Sequence, residues 1–488
     1  MTNSATDSGP LLQRRAKIVA TIGPASAAPD RLRKLIEAGI DIARLNFSHG
    51  THEDHAQVIK HIRSLSQEMG RPVALLQDLQ GPKIRIGDLP SGGIDLKTDD
   101  PFTLTTEAIS GDQSRASITY LALPNDVDEG DTFLLSDGLL RFQVESIDHT
   151  EVHCRVLNDG HLRSRAGVNL PGIELSVPAL TDKDRVDLEF GIAQQVDFIA
   201  LSFVRRAADI VELKDLLAAA NTNIPVIAKL EKPEAVEENL DAILAATDAV
   251  MVARGDLGVE LEPERVPFLQ KTIIQQAARF KKPVITATQM LESMVDNPRP
   301  TRAEVSDVAN AVFDGTDAVM LSAETASGKY PIESVRMMDK IIRDAESHVA
   351  DRHERRADEE LSIDFPNATA KAACRAAADI EAKAIVACTQ SGFTALLISN
   401  QRPSTPILAF TPHTRIYHRL CLYWGIVPKL LLDFVPDNEK MIAKIDAILA
   451  REHLVRPDDS IVIISGTPVT RQGATNLMKL HRVGETSA

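Results

Sequence analysis

Short apolar runs of β type alternate with amphipathic helical stretches along most of the first 345 residues. The runs fall at 18–22, 42–47, 73–79, 198–203, 226–230, 249–253, 284–288 and 318–321. Eight such runs, with helical patterns such as 30–38 and 265–280 between them, predict a parallel (β/α)8 barrel. One interval breaks the rhythm. Between the third and fourth runs, residues 82–178 turn to Gly, Asp and Thr and to short alternating strands such as 132–135 and 140–144. A structureless loop of that length does not fit a compact domain, so the segment reads as an inserted all-β domain. Without it, residues 17–345 leave about 230 positions, close to the roughly 250 of a typical barrel.

The apolar periodicity stops in the charged stretch DRHERRADEE at 351–360, which reads as a linker. Beyond it, an Ala-rich helix (368–378), strands at 384–387, 407–410 and 461–464, and helices after Gly392 and from Met441 predict an open α/β sheet. The expected division is a barrel from 1–81 and 179–350, an insert at 82–178 and a C-terminal α/β domain at 351–488. The first ten residues read as a tail.

Composition narrows the possibilities. The 488 residues are 44% hydrophobic and 25% charged, enough for two or three packed cores, and with aromatics at 4% those cores must be aliphatic. A formal charge of -15, with no uninterrupted basic run, argues against a nucleic-acid partner. Cys154, Cys374, Cys388 and Cys421 lie far apart with no CxxC, which indicates neither a disulfide framework nor a zinc site and fits a reducing cytoplasm. The N-terminal residues lack an apolar leader core, and no stretch of about 18 apolar residues predicts a membrane span.

The chemistry gathers at strand ends. In a parallel barrel the C-terminal strand tips form the active-site rim. Here they carry Thr21, then Arg44, Asn46, Ser48 and His49, then Asp78, Ser202, Lys229 and Glu231, Arg254-Gly255-Asp256, Thr288, and Ser322 with Glu324. Lys229 and Glu231 share one face of an extended chain. An isolated KxE is ordinarily a solvated ion pair, but with Asp256 on the neighbouring tip the set becomes a cation beside two hard carboxylates, a donor pair that Mg²⁺ prefers. Eight polar tips around one rim describe a cationic, metal-bearing pocket for a small phosphorylated acid. His49, His52 and His55 open a helix and read as surface imidazoles rather than ligands. Residues 301–304 read as a capping box. The turn from Thr389 to Thr394, with Ser391 and Gly392, reads either as an anion site at a helix start or as ordinary capping. With no GxxxxGK[ST] or GxGxxG, any nucleotide is held outside those frames.

The segments IPVIAKLEKPEAV, VARGDLGVE, RLNFSHGTHEDH, ATQMLESMVDNPRPTRAEVSDVANAV and DAVMLSAETASGKYP each resemble a motif of the pyruvate kinase family, in that family's order, and the likeness spans nearly the whole chain. The resemblance implies a barrel with an inserted small β-barrel lid and a C-terminal regulatory α/β domain, in a cytoplasmic homotetramer. The implied reaction passes the phosphoryl group of phosphoenolpyruvate to ADP, giving ATP and pyruvate, with Mg²⁺ or Mn²⁺ as cofactor. Matched by motif, Lys229 stabilises the transferring phosphoryl group, Glu231 and Asp256 hold the metal, and Arg44 clamps the substrate phosphate. The N–H groups of Gly255 and Asp256 receive its carboxylate, and Thr288 orients a water that protonates the enol. Arg85, His49 and Asn46 match nucleotide positions and Asp137 falls in the lid. Arg165-Ala166 stand before Gly167, where the family often has a lysine. Thr389, Ser391, Gly392 and Thr394 match a cradle for a sugar-phosphate or nucleotide effector, faced by the loop 466–476. Asn46, Ser48, Asp78 and the Leu79 carbonyl match a K⁺ site. Lys83, however, stands where K⁺-dependent members carry glutamate, and with Leu79, Gln80 and Ile86 it resembles the branch that does not require K⁺.

Two other readings compete. A carbon–carbon lyase on a similar barrel would also use a Glu/Asp-bound metal to stabilise an enolate, but it needs neither the lid nor the Ser391 domain. A catalytically dead scaffold would have been free to lose Lys229, Glu231, Asp256 or Thr288, and all four are present.

Overall fold

Each of the eight apolar runs is a strand in the computed structural model, which describes residues 14–90, 92–173, 176–348, 364–435, 437–466 and 475–485. Lys17–Ile22, Ile42–Asn46, Ala74–Asp78, Phe198–Leu201, Val226–Leu230, Ala249–Ala253, Val284–Ala287 and Ala318–Leu321 close a parallel barrel in chain order. Alternate residues of a strand face opposite ways. One parity, with Val19, Ile42, Leu76, Ala200, Ile227 and Met251, forms a buried apolar cluster inside the barrel. The other, with Ile18, Leu45, Leu75, Ile199 and Val250, packs under the surrounding helices. Carried on to the C-terminal tips, the inward parity reaches Thr21, Arg44, Asp78, Ser202 and Lys229, so the same alternation that fills the core also delivers the polar rim. Cys421 and Leu422 join the inner cluster, and Cys421 Sγ lies 3.6 Å from the Pro72 carbonyl, so a turn of the C-terminal half plugs the other end of the barrel.

The insert has its own apolar centre, which includes Phe102, Phe133 and Phe142. A six-stranded sheet and a two-stranded ribbon surround it, and the two predicted strands are there as Thr132–Leu135 and Leu140–Asp148, paired antiparallel. The longer partner passes a register shift between Val144 and Ser146.

The C-terminal sheet has five strands in the order Ile426–Leu430, Ile407–Thr411, Ala384–Cys388, Ser460–Ser465 and Leu477–Arg482, the last antiparallel. The two outer strands went unrecognised in the sequence. One carries Pro428, tolerated only at an edge, and the other alternates as LMKLHR with half its side chains outward. Between the fifth and sixth barrel strands the chain forms two short helices, Pro233–Glu237 and Leu240–Ala246, and the break falls where the Asn239 side chain bonds back to the Glu234 carbonyl at 3.1 Å. The tail, the linker and most of the loop 466–476 lie outside the described residues. Among the described residues no helix is long and apolar enough to cross a membrane.

Candidate active site

Lys229 ends inside the barrel mouth because it sits on the inward parity of the fifth strand, one residue before that strand stops. Its Nζ reaches Ser202 Oγ at 2.7 Å, Glu231 Oε1 at 2.9 Å and Asp78 Oδ1 at 3.3 Å, one acceptor for each ammonium proton. Burial alone would lower the Lys229 pKa, but the Asp78 and Glu231 carboxylates outweigh it and hold the ammonium above the usual lysine value. The cation therefore persists in a nearly dry pocket. Asp78 is shared. Its other oxygen takes Arg44 Nε at 2.6 Å, and Arg44 Nη1 donates to Thr21 Oγ1 at 2.9 Å. Burial would raise the Asp78 carboxyl, yet Lys229 and Arg44 hold it below the ordinary range.

Glu231 lies one residue beyond the strand, 1% exposed, with Oε2 accepting the Phe203 N–H at 2.6 Å. Burial pushes its carboxyl up, Lys229 pulls against that, and the charge of Asp256 adds to the rise. The buried Glu231 carboxylate, which senses the charge of Asp256, and Asp256 itself, which opens on a cleft, form a donor set that suits a hard divalent cation. Ser202 was visible in the sequence only as a polar tip. The structure makes it a bridge, since its Oγ donates to the Leu79 carbonyl at 2.7 Å while accepting from Lys229. Its place on the inward parity after Phe198 and Ala200 was the signal.

The seventh tip is strained. Thr288 and Gln289 stand at φ 67° and 52°, left-handed values that cost a β-branched residue on the order of 1–3 kcal/mol. Thr288 Oγ1 donates to the Ala287 carbonyl at 2.6 Å and accepts the Gly255 N–H at 2.7 Å. A Cβ added at Gly255 would come 3.4 Å from that hydroxyl oxygen, at the limit of ordinary van der Waals contact.

Arg44, Asn46 and His49 line one cavity of about 770 Å³ beside this network, with Thr21, Pro24 and Ser322. Arg85 does not. It bridges to Gly167 within the insert and donates to the Arg165 carbonyl at 3.1 Å, while Arg165 itself pairs with Asp88 at 2.9 Å. The Asp137 turn, at φ 58°, brings Gly138 toward Val259 on the helix Arg254–Glu260. Lys83 lines a narrow cleft between insert and barrel with Lys232, Asp256 and Glu260, and among the described residues it makes no ion pair with Asp78. Asn46 Oδ1 accepts the Ser48 N–H at 3.1 Å.

Two other sequence readings are settled by contacts. Of the three histidines read as surface imidazoles, His49 is exposed, His52 is half-buried and His55 is not on the surface. His55 is buried, stacked on Phe47 at 4.2 Å with Nε2 3.0 Å from the His49 carbonyl, and His52 stacks on Phe190 and pairs with Asp187 at 2.7 Å. The capping box at Thr301 and Glu304 forms, and Glu304 also holds Ser293. In the C-terminal half, Thr389 Oγ1 accepts the Gly392 N–H at 2.9 Å, Thr394 bonds Thr475 at 2.7 Å, and Ser391 is exposed at the start of the helix Phe393–Asn400.

Residues 13–335 match the family model described as pyruvate kinase, barrel domain, and residues 367–481 match pyruvate kinase, alpha/beta domain. The chain belongs to the pyruvate kinase family. It is 49% identical over 476 residues to pyruvate kinase 2 of Synechocystis, spanning 97% of this chain and 80% of that protein. It is 45% identical over 480 residues to the pyruvate kinase of Geobacillus stearothermophilus, at 97% and 81% coverage. The crystal structure of a pyruvate kinase from Cryptosporidium parvum superposes with a TM-score of 0.90 at 37% identity, covering 97% of both chains. Pyruvate kinases are phosphotransferases that need a divalent metal.

Proposed function

We propose the following roles in the pyruvate kinase reaction, in which phosphoenolpyruvate gives its phosphoryl group to ADP and the resulting enolate is protonated to pyruvate. The observation that carries them is the Lys229 network, a permanently charged ammonium held among Asp78, Glu231 and Ser202 at the barrel mouth. Lys229 stabilises charge spreading over the phosphoryl oxygens, and Arg44, already fixed by Asp78, clamps them. Glu231 and Asp256 hold Mg²⁺ or Mn²⁺. When bound, such a cation would supply positive charge against the transferring group. The substrate carboxylate lies against the Asp256 N–H, because the Gly255 N–H, which the motif also offers, is committed to Thr288 Oγ1 at 2.7 Å.

Thr288 is not the acid. Its one hydroxyl hydrogen goes to Ala287 and one lone pair to Gly255, which leaves a single lone pair. A water held there donates one hydrogen to Thr288 and keeps the other for the enolate carbon. Asn46 and His49 present the large cavity to the nucleotide, and Arg85, held within the insert by the Arg165 carbonyl, meets it only when the insert, residues 82–178, closes as a lid. A separate apolar core supports treating that segment as a body of its own. K⁺ is not required on this reading, because Asp78 already has Arg44 and Lys229 as counter-charges and Lys83 adds a cation in the cleft that Asp256 lines. Thr389, Ser391, Gly392 and Thr394 receive a sugar-phosphate or nucleotide effector. The assembly is a homotetramer, and the edge strand Leu477–Arg482, with Met478 and Leu480 exposed, suits a contact between copies.

A coupled assay for pyruvate tests the reading as a whole. With phosphoenolpyruvate, ADP and Mg²⁺ the purified chain should produce pyruvate only when ADP is present. ADP-independent turnover, or none, would reject it.

A further inference from the structure

We infer that Arg254 is the positioning residue for the proton-transfer half of the reaction and that it acts through Thr288. It is the first residue after the sixth strand, with its side chain nine-tenths buried. Nη1 is anchored to Asp307 on the helix Arg302–Asp314 at 2.7 Å. From that anchor Nε reaches the Ala287 carbonyl at 3.2 Å and Nη2 the Thr288 carbonyl at 2.7 Å. These two carbonyls flank the left-handed Thr288, and the first also accepts the Thr288 hydroxyl hydrogen. Only a planar fork of fixed donors can hold both while bound to a carboxylate. The next residue, Gly255, fixes the same hydroxyl through its N–H.

Residues 254 and 255 therefore orient Thr288 Oγ1 from two sides and decide where its remaining lone pair points. The inference rests on the role of Thr288 proposed above. In the step concerned, a water on that lone pair gives a proton to the enolate carbon, the carbon–carbon double bond supplies the electron pair, and the carbonyl forms. The hydroxide left behind recovers a proton from solvent. Arg254 touches none of the reacting atoms.

The test separates the two half-reactions. Exchange of the methyl protons of pyruvate into D₂O, followed by NMR with Mg²⁺ and ATP, reports the proton step, and ATP formation from phosphoenolpyruvate and ADP reports phosphoryl transfer. Arg254→Lys keeps the charge and loses the fork. It should lower exchange at least ~10-fold more than ATP formation. Asp307→Asn, which keeps Arg254 and frees its anchor, should act in the same sense by a smaller factor and serves if the first variant does not fold. Parallel loss of both rates, tracking the melting temperature, would show a merely structural arginine and overturn the inference. Thr288→Ala divides the remaining outcomes. Exchange lost there but intact in both other variants removes only the role of Arg254, whereas exchange intact in Thr288→Ala removes the Thr288 reading and the inference with it.

Discussion

Lys229 shows how much a residue owes to its neighbours. On a solvated strand end it would be an ordinary lysine, and here three acceptors hold it charged within the barrel mouth. We expect Lys229→Met to lower kcat by at least ~10²-fold, the scale of removing one transition-state charge donor, with the melting temperature little changed. An equal loss from Lys479→Met, on an exposed lysine paired with Glu439, would show that the assay responds to charge in general. Lys83 carries the second residue-scale prediction. Activity should remain near full with Na⁺ or tetramethylammonium replacing K⁺, and Lys83→Glu, two charge units more negative, should create a K⁺ requirement. A wild-type rate that collapses without K⁺ would end this reading and leave the enzyme assignment intact.

At the scale of elements, the seam between insert and barrel is narrow and specific. Asn169, on the short strand Val168–Asn169, donates to Glu260 Oε1 at 2.8 Å, and the same oxygen takes Lys232 Nζ at 2.7 Å. Glu260 ends the helix that begins at Arg254 and carries Gly255 and Asp256, so the insert leans directly on the element to which substrate and metal contacts are proposed above. A hydrogen bond to a buried carboxylate contributes about 1.5 kcal/mol, roughly a factor of ten in an opening equilibrium. Asn169→Ala should speed amide hydrogen exchange of the insert by about that factor and leave the barrel unaffected. Unchanged protection of the insert would mean that its position does not depend on this contact.

Across the whole molecule, charged groups bind the C-terminal half to the base of the barrel. Lys17 Nζ donates to the Ile426 carbonyl at 2.7 Å and Arg402 reaches Asp317 at 2.9 Å, while within the barrel base Arg14 joins Asp41 at 2.8 Å and Asp339 at 3.1 Å beside them. Burial would raise the Asp41 carboxyl, but Arg14, Lys17 and the Ile18 N–H outweigh it and hold it below the usual range. An acid with a depressed folded pKa stabilises above its unfolded value of about 3.9 and loses that contribution as pH falls through the folded pKa. Asp41→Asn should therefore cost about 3 kcal/mol at neutral pH, seen as a lower melting temperature, and the gap to wild type should narrow progressively as pH falls below about 4. A gap that does not narrow below that pH would assign the loss to packing. Regulation belongs at this scale too. If a sugar phosphate or AMP activates through the C-terminal half, Ser391→Glu should abolish the activation by repelling the effector phosphate, and activation that survives the substitution would move the site elsewhere.

Periodicity alone determined the barrel strands, the all-β insert and the α/β character of the C-terminal half, because burial on both faces leaves continuous apolar runs that no surface element shows. The same alternation placed Lys229, Asp78 and Arg44 on one rim before any contact was known. What the sequence could not carry is whatever depends on closing the ring and on chain direction in space. Ser202 became a bridge only because the third and fifth strands flank the fourth, and Arg254 reached Thr288 only because the sixth and seventh strands pair. His55 left the surface because Phe47 gave it a stacking partner, and the edge strands 426–430 and 477–482 were legible only beside the sheet that completes their hydrogen bonds. Strand patterns are set within a few residues of chain, whereas these contacts join residues from 8 to more than 100 positions apart, and only the packed structure brings them into reach.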